Sequence, residues 1–299
     1  MRSRIAPSKE NTCAVFVTFH PDAGFLDRLT RVARQVGDVI VIDNGSSELE
    51  LGELRGASNT LGFALICNGE NLGVAKALNQ GMDLALSRGW QWALTFDQDT
   101  LAYDFLLDRL IETWRDYDSA NELAVIGSSY LDPPSGEVYP IETRNGKWTE
   151  CSSVITSGSL ISMAAFGRTG PFREEFFIDC VDDDFCFRAR RMGHAILCAG
   201  GPLMEHRIGT VEYHCFLGKK YATPNYPPVR RYYIMRNSIA LAIECRSEEP
   251  EWARGTRKKI VKDLLLTLAF ESNRWRKARM CLKGLWDGLR GKFGRLTDE

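Results

Sequence analysis

The sequence has no apolar stretch approaching the roughly 18 residues that a membrane-crossing helix requires, so the body of the chain is expected to be soluble. Its first twelve residues, Met1 to Thr12, are polar and mixed in charge and lack the apolar core of a secretory signal. Nine cysteines include no C-x-x-C pair, and their number is odd. That disfavours a zinc ribbon or a complete disulfide framework and suits a reducing, cytoplasmic compartment. Net charge is also nearly absent, −1 over 299 residues, and no nucleic-acid-reading motif is present, so nucleic acid is not an expected partner. What remains is ordinary globular composition, 44% hydrophobic and 26% charged, in a chain long enough for one large α/β domain with an appendage or for two small domains.

The small net charge hides an uneven distribution. From Arg257 to Glu299 the chain carries +7, which leaves −8 for the rest. In this tail Ile260, Leu264, Leu265, Leu268 and Ala269 share one helical face, and Trp275, Met280, Leu282, Leu285, Trp286, Leu289 and Phe293 are interleaved with basic residues. Two arrangements suit that pattern: an amphipathic segment on an anionic membrane surface, or a helical extension packed on the body with its basic face in water.

The N-terminal half alternates strand and helix. Apolar, β-branched runs predict strands at 13–19, 39–42, 62–67 and 90–96. Helical spacing follows in Phe25, Leu26, Leu29, Val32, Ala33 and Val36, and again in Val74, Ala75, Leu78, Met82 and Ala85. Such βα repeats imply a parallel sheet with a crevice at its polar strand ends. Thr18, Asp43, Asn71, Asp97 and Asp99 all fall at or just after those ends. The most informative stretch is Trp92 to Thr100, where a strand ends in Asp97-Gln98-Asp99. Residues i and i+2 of an extended chain point the same way, so both carboxylates can meet one hard divalent cation, whose remaining ligands would come from a diphosphate. Caps for a helix after Thr100 are the alternative. Likewise Asp43 and Asn44, before the turn at Gly45, suit either a base or ribose contact or an Asx turn, and Asn71 to Gly73 either a phosphate-facing helix start or an ordinary N-cap.

In order along the chain, Val17-Thr18-Phe19, Val41-Ile42-Asp43-Asn44-Gly45-Ser46, Asn71-Leu72-Gly73 through Lys76, Asn79 and Gly81, and Thr95-Phe96-Asp97-Gln98-Asp99 resemble the inverting nucleotide-sugar glycosyltransferases of family two. More narrowly, Phe96 to Thr100, Thr156-Ser157-Gly158-Ser159 and Phe176 to Arg188 resemble the bacterial rhamnosyltransferase branch. The resemblance implies a GT-A fold, α/β with a mostly parallel central sheet, over residues 12–240. Its donor half would span about 12–100 and its acceptor and catalytic half 101–240, with a basic helical extension at 241–299. It also implies donor contacts from Thr18, Phe19, Asp43, Asn44, Asn71, Gly73, Lys76, Asp97 and Gln98, and acceptor contacts from Thr156, Ser157 and Gly158.

Asp179, Asp182, Asp183 and Asp184 lie within six positions, a density of negative charge that needs a cation, an arginine or substrate hydroxyls nearby. By resemblance the Asp six residues before Arg188, Asp182, takes the place of the general base, with Asp179 or Asp184 holding base or acceptor in place. Resemblance also makes His206 a further ligand of Mg²⁺ or Mn²⁺ beside Asp97 and Asp99, although a lone His is commonly structural. Arg236, in Tyr232-Tyr233-Ile-Met-Arg236-Asn237, suits a bidentate phosphate contact. The implied reaction transfers L-rhamnose from dTDP-L-rhamnose to a saccharide hydroxyl of a lipid-linked envelope glycan, on the inner face of the cytoplasmic membrane. A UDP- or GDP-sugar donor and a nucleotide-sugar-binding protein without turnover are the competing expectations.

Overall fold

The computed structural model describes residues 5–118, 122–140, 146–207, 209, 212–216 and 218–297. The N-terminal part alternates strand and helix, from β1 (Thr12–Thr18), α1 (Phe25–Ala33), β2 (Asp38–Asp43), α2 (Glu48–Leu61), β3 (Ala64–Cys67), α3 (Val74–Ser87) and β4 (Trp92–Asp97). Strands β3, β2, β1 and β4 pair in parallel in that order, so all their carboxyl ends face one edge. Both faces of β1 are buried. Phe16 stacks on Phe96 at 5.0 Å and meets Phe25 of α1 on one side. Val15, Ile40 and Ile42 pack with Ala75, Leu78 and Met82 of α3 on the other. Helix α2 was not foreseen, because only Leu51 and Leu54 of its residues are buried; its signature was the capping box between Ser47 and Glu50.

Beyond β4 the sheet becomes mixed. In chain order come β5 (Leu101–Ala102), α4 (Leu106–Asp116), β6 (Leu123–Asp132), β7 (Glu137–Tyr139), β8 (Trp148–Glu150), β9 (Ser159–Ser162), α5 (Met163–Thr169), α6 (Val181–Arg191) and β10 (Ala195–Glu205). Strand β9 runs antiparallel between β4 and β6, and β10 lies parallel to β6. Thr100 is followed by β5 rather than by a helix, so Asp97 and Asp99 cap nothing. A separate antiparallel hairpin follows, β11 (Glu212–Phe216) and β12 (Lys219–Thr223).

The C-terminal region comprises α7 (Pro228–Glu244), α8 (Pro250–Phe270) and α9 (Arg274–Leu289). The expected domain limit at residue 240 therefore falls inside α7. Helix α9 packs on α7 through Ala278, Cys281, Gly284, Asp287 and Gly288. A Cβ on Gly284 would lie 2.3 Å from the Tyr232 carbonyl oxygen, so only glycine permits this approach. Glu271 sits buried between Arg231 and Lys277, and the Tyr232 hydroxyl donates to Asp287 at 2.8 Å. Of the two arrangements open for the tail, packing on the body is thus realised for its inner face. Val261, Leu265, Trp275, Leu282, Trp286 and Leu289 remain exposed on the outside. No helix among the described residues is long and apolar enough to cross a membrane.

Candidate active site

Strand ends deliver the first constellation. Thr18, closing β1, donates to Asp43 Oδ1 at 3.1 Å, and the other oxygen of Asp43 accepts from the backbone N–H groups of Gly45 and Ser46 at 3.1 and 3.0 Å. With Ser46 Oγ also donating, Asp43 is fully buried and fully bonded. Of the two readings open for Asp43, the Asx turn is present, and the equally buried Thr18 braces it. Gly45, at φ +99°, lies against the Glu70–Asn71 backbone, where a Cβ would meet atoms at 2.6 Å. Asn44 Oδ1 accepts from the Leu72 N–H at 3.0 Å and its Nδ2 donates to Asn71 Oδ1 at 3.1 Å. Asn44 and Asn71 thus tie the β2 turn to the start of α3. Gln98 clasps the backbone of Phe19 with both amide atoms, at 2.7 and 3.1 Å, and leaves the Phe19 ring 43% exposed at the crevice. Lys76 lies 3.8 Å from Glu174, half-exposed at the same rim.

The metal-type cluster assembles as expected. Ligand atoms of Asp97, Asp99 and His206 lie within 4.8 Å of one another, contributed by β4, the turn after it and the end of β10. Thr100 Oγ1 sits 2.9 Å from His206 Nδ1 and 2.7 Å from Ser157 Oγ. Asp99 Oδ1 lies 3.9 Å from the same Nδ1, so Thr100 and Asp99 together fix the orientation of the ring. Two carboxylates and one imidazole suit a hard, oxygen-preferring ion such as Mg²⁺ or Mn²⁺. Burial raises the Asp97 pKa, and the charge of Asp99 adds to the rise, while His206 and Arg230 oppose it. Such crowded carboxylates are relieved by a cation between them.

Thr156, Ser157 and Gly158, expected at the acceptor, lie against the end of β4, with Ser157 and Gly158 buried and Thr156 half-buried. Ser157 is 1% exposed and its hydroxyl accepts from the Asp97 N–H at 3.1 Å. The Thr156 carbonyl accepts from Thr95 Oγ1 at 2.6 Å, and the Gly158 N–H donates to the Thr95 carbonyl at 2.8 Å. The backbone of Thr156 and Gly158 and the hydroxyl of Ser157 thus brace the end of β4 and the turn after it.

The acidic cluster occupies a loop and the first turn of α6. Phe177, Asp179 and Cys180 all have positive φ, a strained run for residues with side chains. Asn237, itself fully buried, donates to the carbonyls of Phe176, Ile178 and Asp179 at 2.9, 2.8 and 3.0 Å. Arg236 donates to the carbonyls of Glu175, Phe176 and Gly294 at 3.1, 2.9 and 2.6 Å and is fully buried. It therefore cannot reach a donor phosphate, and its role is to clamp this loop. Arg230, one face away on α7, is the guanidinium that acts electrostatically on Asp97 and reaches Asp179 Oδ1 at 3.3 Å. Helical phase separates Arg230 from Arg236, six residues further along α7.

Loop and donor half are joined directly. The Val74 N–H, at the start of α3, donates to the Phe177 carbonyl at 2.7 Å, and Gly73 at φ +90° leaves no room there for a Cβ. Asp182 projects beside Asp179 and Asp183; burial above all, then these two charges, push its pKa up to about 8. Asp183 accepts from Ser153 Oγ at 2.5 Å. Asp184 turns away, buried against Arg188 at 2.8 Å and Arg173 at 3.7 Å, which removes it as a candidate base. Asp179 Oδ2 is buried with no partner among the described residues.

A model of glycosyl transferase family 2 matches residues 14–166. A dTDP-rhamnosyl transferase of Shigella flexneri, RfbF, is 30% identical over 246 residues, covering 77% of this chain and 79% of that protein. The chain belongs to glycosyl transferase family 2. Among solved structures, Staphylococcus aureus TarS 1-349 superposes with a TM-score of 0.61 at 14% identity, covering 93% of this chain and 80% of that one. A mannosyltransferase from Pyrobaculum calidifontis, in complex with GDP-Man and Mn²⁺, gives 0.59 at 13% identity, covering 96% and 90%. These likenesses establish the GT-A-like fold of this family-two glycosyltransferase, with its curled mixed sheet and additional C-terminal helices.

Proposed function

We propose that this glycosyltransferase moves L-rhamnose from dTDP-L-rhamnose to a hydroxyl of a lipid-linked envelope saccharide, with inversion at the anomeric carbon. The observation that carries the chemistry is that Asp182 lies outside the Asp97–Asp99–His206 cluster, while Asp179 acts electrostatically on both Asp97 and Asp182 and so connects the two groups. Asp182 accepts the acceptor hydroxyl's proton as that oxygen forms its bond to the anomeric carbon. The bond from that carbon to the diphosphate breaks in the same displacement, and its electron pair leaves with the nucleoside diphosphate. A divalent ion held by Asp97, Asp99 and His206 would supply positive charge to the departing diphosphate. Arg230 adds a second charge on that side, the task first expected of Arg236. Asn44, Asn71, Gly73 and Gln98 shape the donor crevice.

The rhamnose assignment rests on the motif resemblance and on the similarity to RfbF. A UDP- or GDP-sugar donor is the second reading, favoured by fold likeness to TarS in complex with UDP-GlcNAc, TM-score 0.60, and to the GDP-Man complex. Competition between dTDP-rhamnose, UDP-glucose and GDP-mannose in the presence of Mn²⁺ decides the matter. Tight binding of UDP-glucose without binding of dTDP-rhamnose refutes the rhamnose assignment. An anionic membrane is the surface proposed to receive the outer faces of α8 and α9, where Trp275, Leu282, Trp286 and Leu289 are exposed among arginines and lysines. Sedimentation with anionic liposomes, weakened by salt, checks it; equal sedimentation with neutral liposomes refutes it.

A further inference from the structure

Helix α8 turns an unusual face toward the body. Trp252, Gly255, Thr256, Lys259 and Asp263 recur at helical spacing on one side, and in place of an apolar seam they wall a cavity of about 700 Å³. At its other end the cavity reaches Asp179 and Asp182. Its size lies within the range of roughly 300–1,000 Å³ typical of small-ligand sites. Gly255 and Thr256 leave the space open, whereas larger apolar residues would have filled it.

The lining identifies what fits. Asp132, Asp179, Asp182, Asp183 and Asp263 outnumber Arg231 and Lys259, so an anionic ligand is opposed. Carboxylates accept from hydroxyl groups, and the rings of Tyr226 and Trp252 present apolar faces that cover the C–H faces of a pyranose. Arg231 is 1% exposed; one of its nitrogens donates to Glu271, while Nε and Nη1 have no partner among the described residues. Buried unpaired donors at a cavity wall call for an oxygen from the occupant.

We propose that this cavity is the acceptor subsite, and that α8 selects the acceptor: a neutral saccharide of at least two hexose-sized units. The terminal unit presents its hydroxyl to Asp182. The next unit lies along α8, against Trp252 and Tyr226, its oxygens meeting Arg231, Lys259 and Asp263. This rests on the family-two transfer reaction proposed above. It makes the inner face of α8 part of substrate choice, a role separate from the membrane contact proposed for the outer faces of α8 and α9.

The test uses the full chain with Mn²⁺, nucleotide-sugar donor and a panel of methyl glycosides, neutral monosaccharides and disaccharides sharing the same terminal unit, together with one uronic-acid disaccharide. Neutral disaccharides should show a KM about tenfold or more below their monosaccharides, equivalent to about 1.4 kcal/mol. Asp263→Asn and Lys259→Ala should erase that advantage while donor KM and the slow hydrolysis of donor by water stay unchanged. Trp252→Ala should do the same, but Trp252 also meets Phe187 edge-on at 5.0 Å, so the two polar variants keep the test independent of folding. An undiminished disaccharide advantage in those variants, preference for the uronic-acid acceptor, or donor hydrolysis with no accepted saccharide overturns the assignment. Absence of both hydrolysis and transfer with every nucleotide sugar instead refutes the function on which it rests.

Discussion

Replacing Asp182 by Asn keeps the side chain's volume and removes its capacity to take a proton. General-base catalysis contributes about 10² to 10⁴ in rate, so turnover should fall by that factor with donor affinity retained, because Asp182 stands outside the Asp97–Asp99–His206 cluster. Burial and the charges of Asp183 and Asp179 hold its pKa at about 8. At pH 7 only about one carboxyl in ten is then ionised, so kcat/KM should climb nearly tenfold per unit from pH 6 toward 8 and level off above. The same shift has a stability consequence of opposite sense. The unfolded chain releases this proton near pH 4 and the folded chain near 8, so the protonated carboxyl favours folding at low pH. That contribution is lost as pH rises between the two values. Asp182→Asn should therefore melt higher than the parent, with the difference growing from pH 5 to pH 8, by about 2–4 °C for each kcal/mol relieved. Steady-state rates across pH 5.5–9 and calorimetry of both proteins supply the readings. A variant with near-normal rate, or one that keeps the acid limb, refutes the assignment and moves the base to Asp179.

Chelation should abolish transfer and added Mn²⁺ restore it, and Asp99→Ala should lose most activity with Tm almost unchanged, since that side chain is 52% exposed and fills no core; full turnover in excess chelator sinks the claim. Glu271→Gln leaves Arg231 and Lys277 buried without their counter-charge, which costs about 3–5 kcal/mol and should lower Tm by roughly 6–20 °C; an unchanged melting curve contradicts it. Truncation before Arg257 should yield no folded protein, because α9 and the Arg231–Glu271–Lys277 cluster go with it; a folded, active truncated form would show the tail to be dispensable. Asn237→Ala should release the Phe177–Cys180 loop and lower kcat more than it raises donor KM, measured against Tm; equal effects on both constants make Asn237 merely structural.

The donor half was legible because each of its strands carries an unbroken apolar run and ends in the polar residues that meet at one sheet edge. The metal-type cluster was legible in part from local geometry, two carboxylates at i and i+2, while His206 came from resemblance and its placement depends on how β10 returns beside β4. What failed did so for identifiable reasons. Ser157 carries a hydroxyl whose partners, the Asp97 N–H and Thr100 Oγ1, are brought close only by the fold, and Asp43 makes the local Asx turn that its sequence left open beside a ligand contact. Arg236 and Arg230 are six residues apart on one helix, and nothing local says which points to the crevice. The inner face of α9 was hidden by its charge: Lys277 and Asp287 look solvated in sequence and are buried against Glu271 and Tyr232.

The clamp on the Phe177–Cys180 loop also has a calendar. Arg236 holds that loop together with the Gly294 carbonyl, and the Gly294 N–H donates to the Glu175 carbonyl at 2.8 Å. The Leu296 N–H closes onto the Tyr233 hydroxyl at 2.7 Å. During synthesis at about 5–20 residues per second, Gly294 is polymerised roughly 6–22 s after Asp182. A nascent chain thus completes β4, with Asp97 and Asp99 at its end, and holds the Phe177–Cys180 loop through Val74 and then Asn237 well before the Gly294 side of the clamp exists. The clamp therefore closes last, when the segment after α9 folds back onto Arg236 and Tyr233.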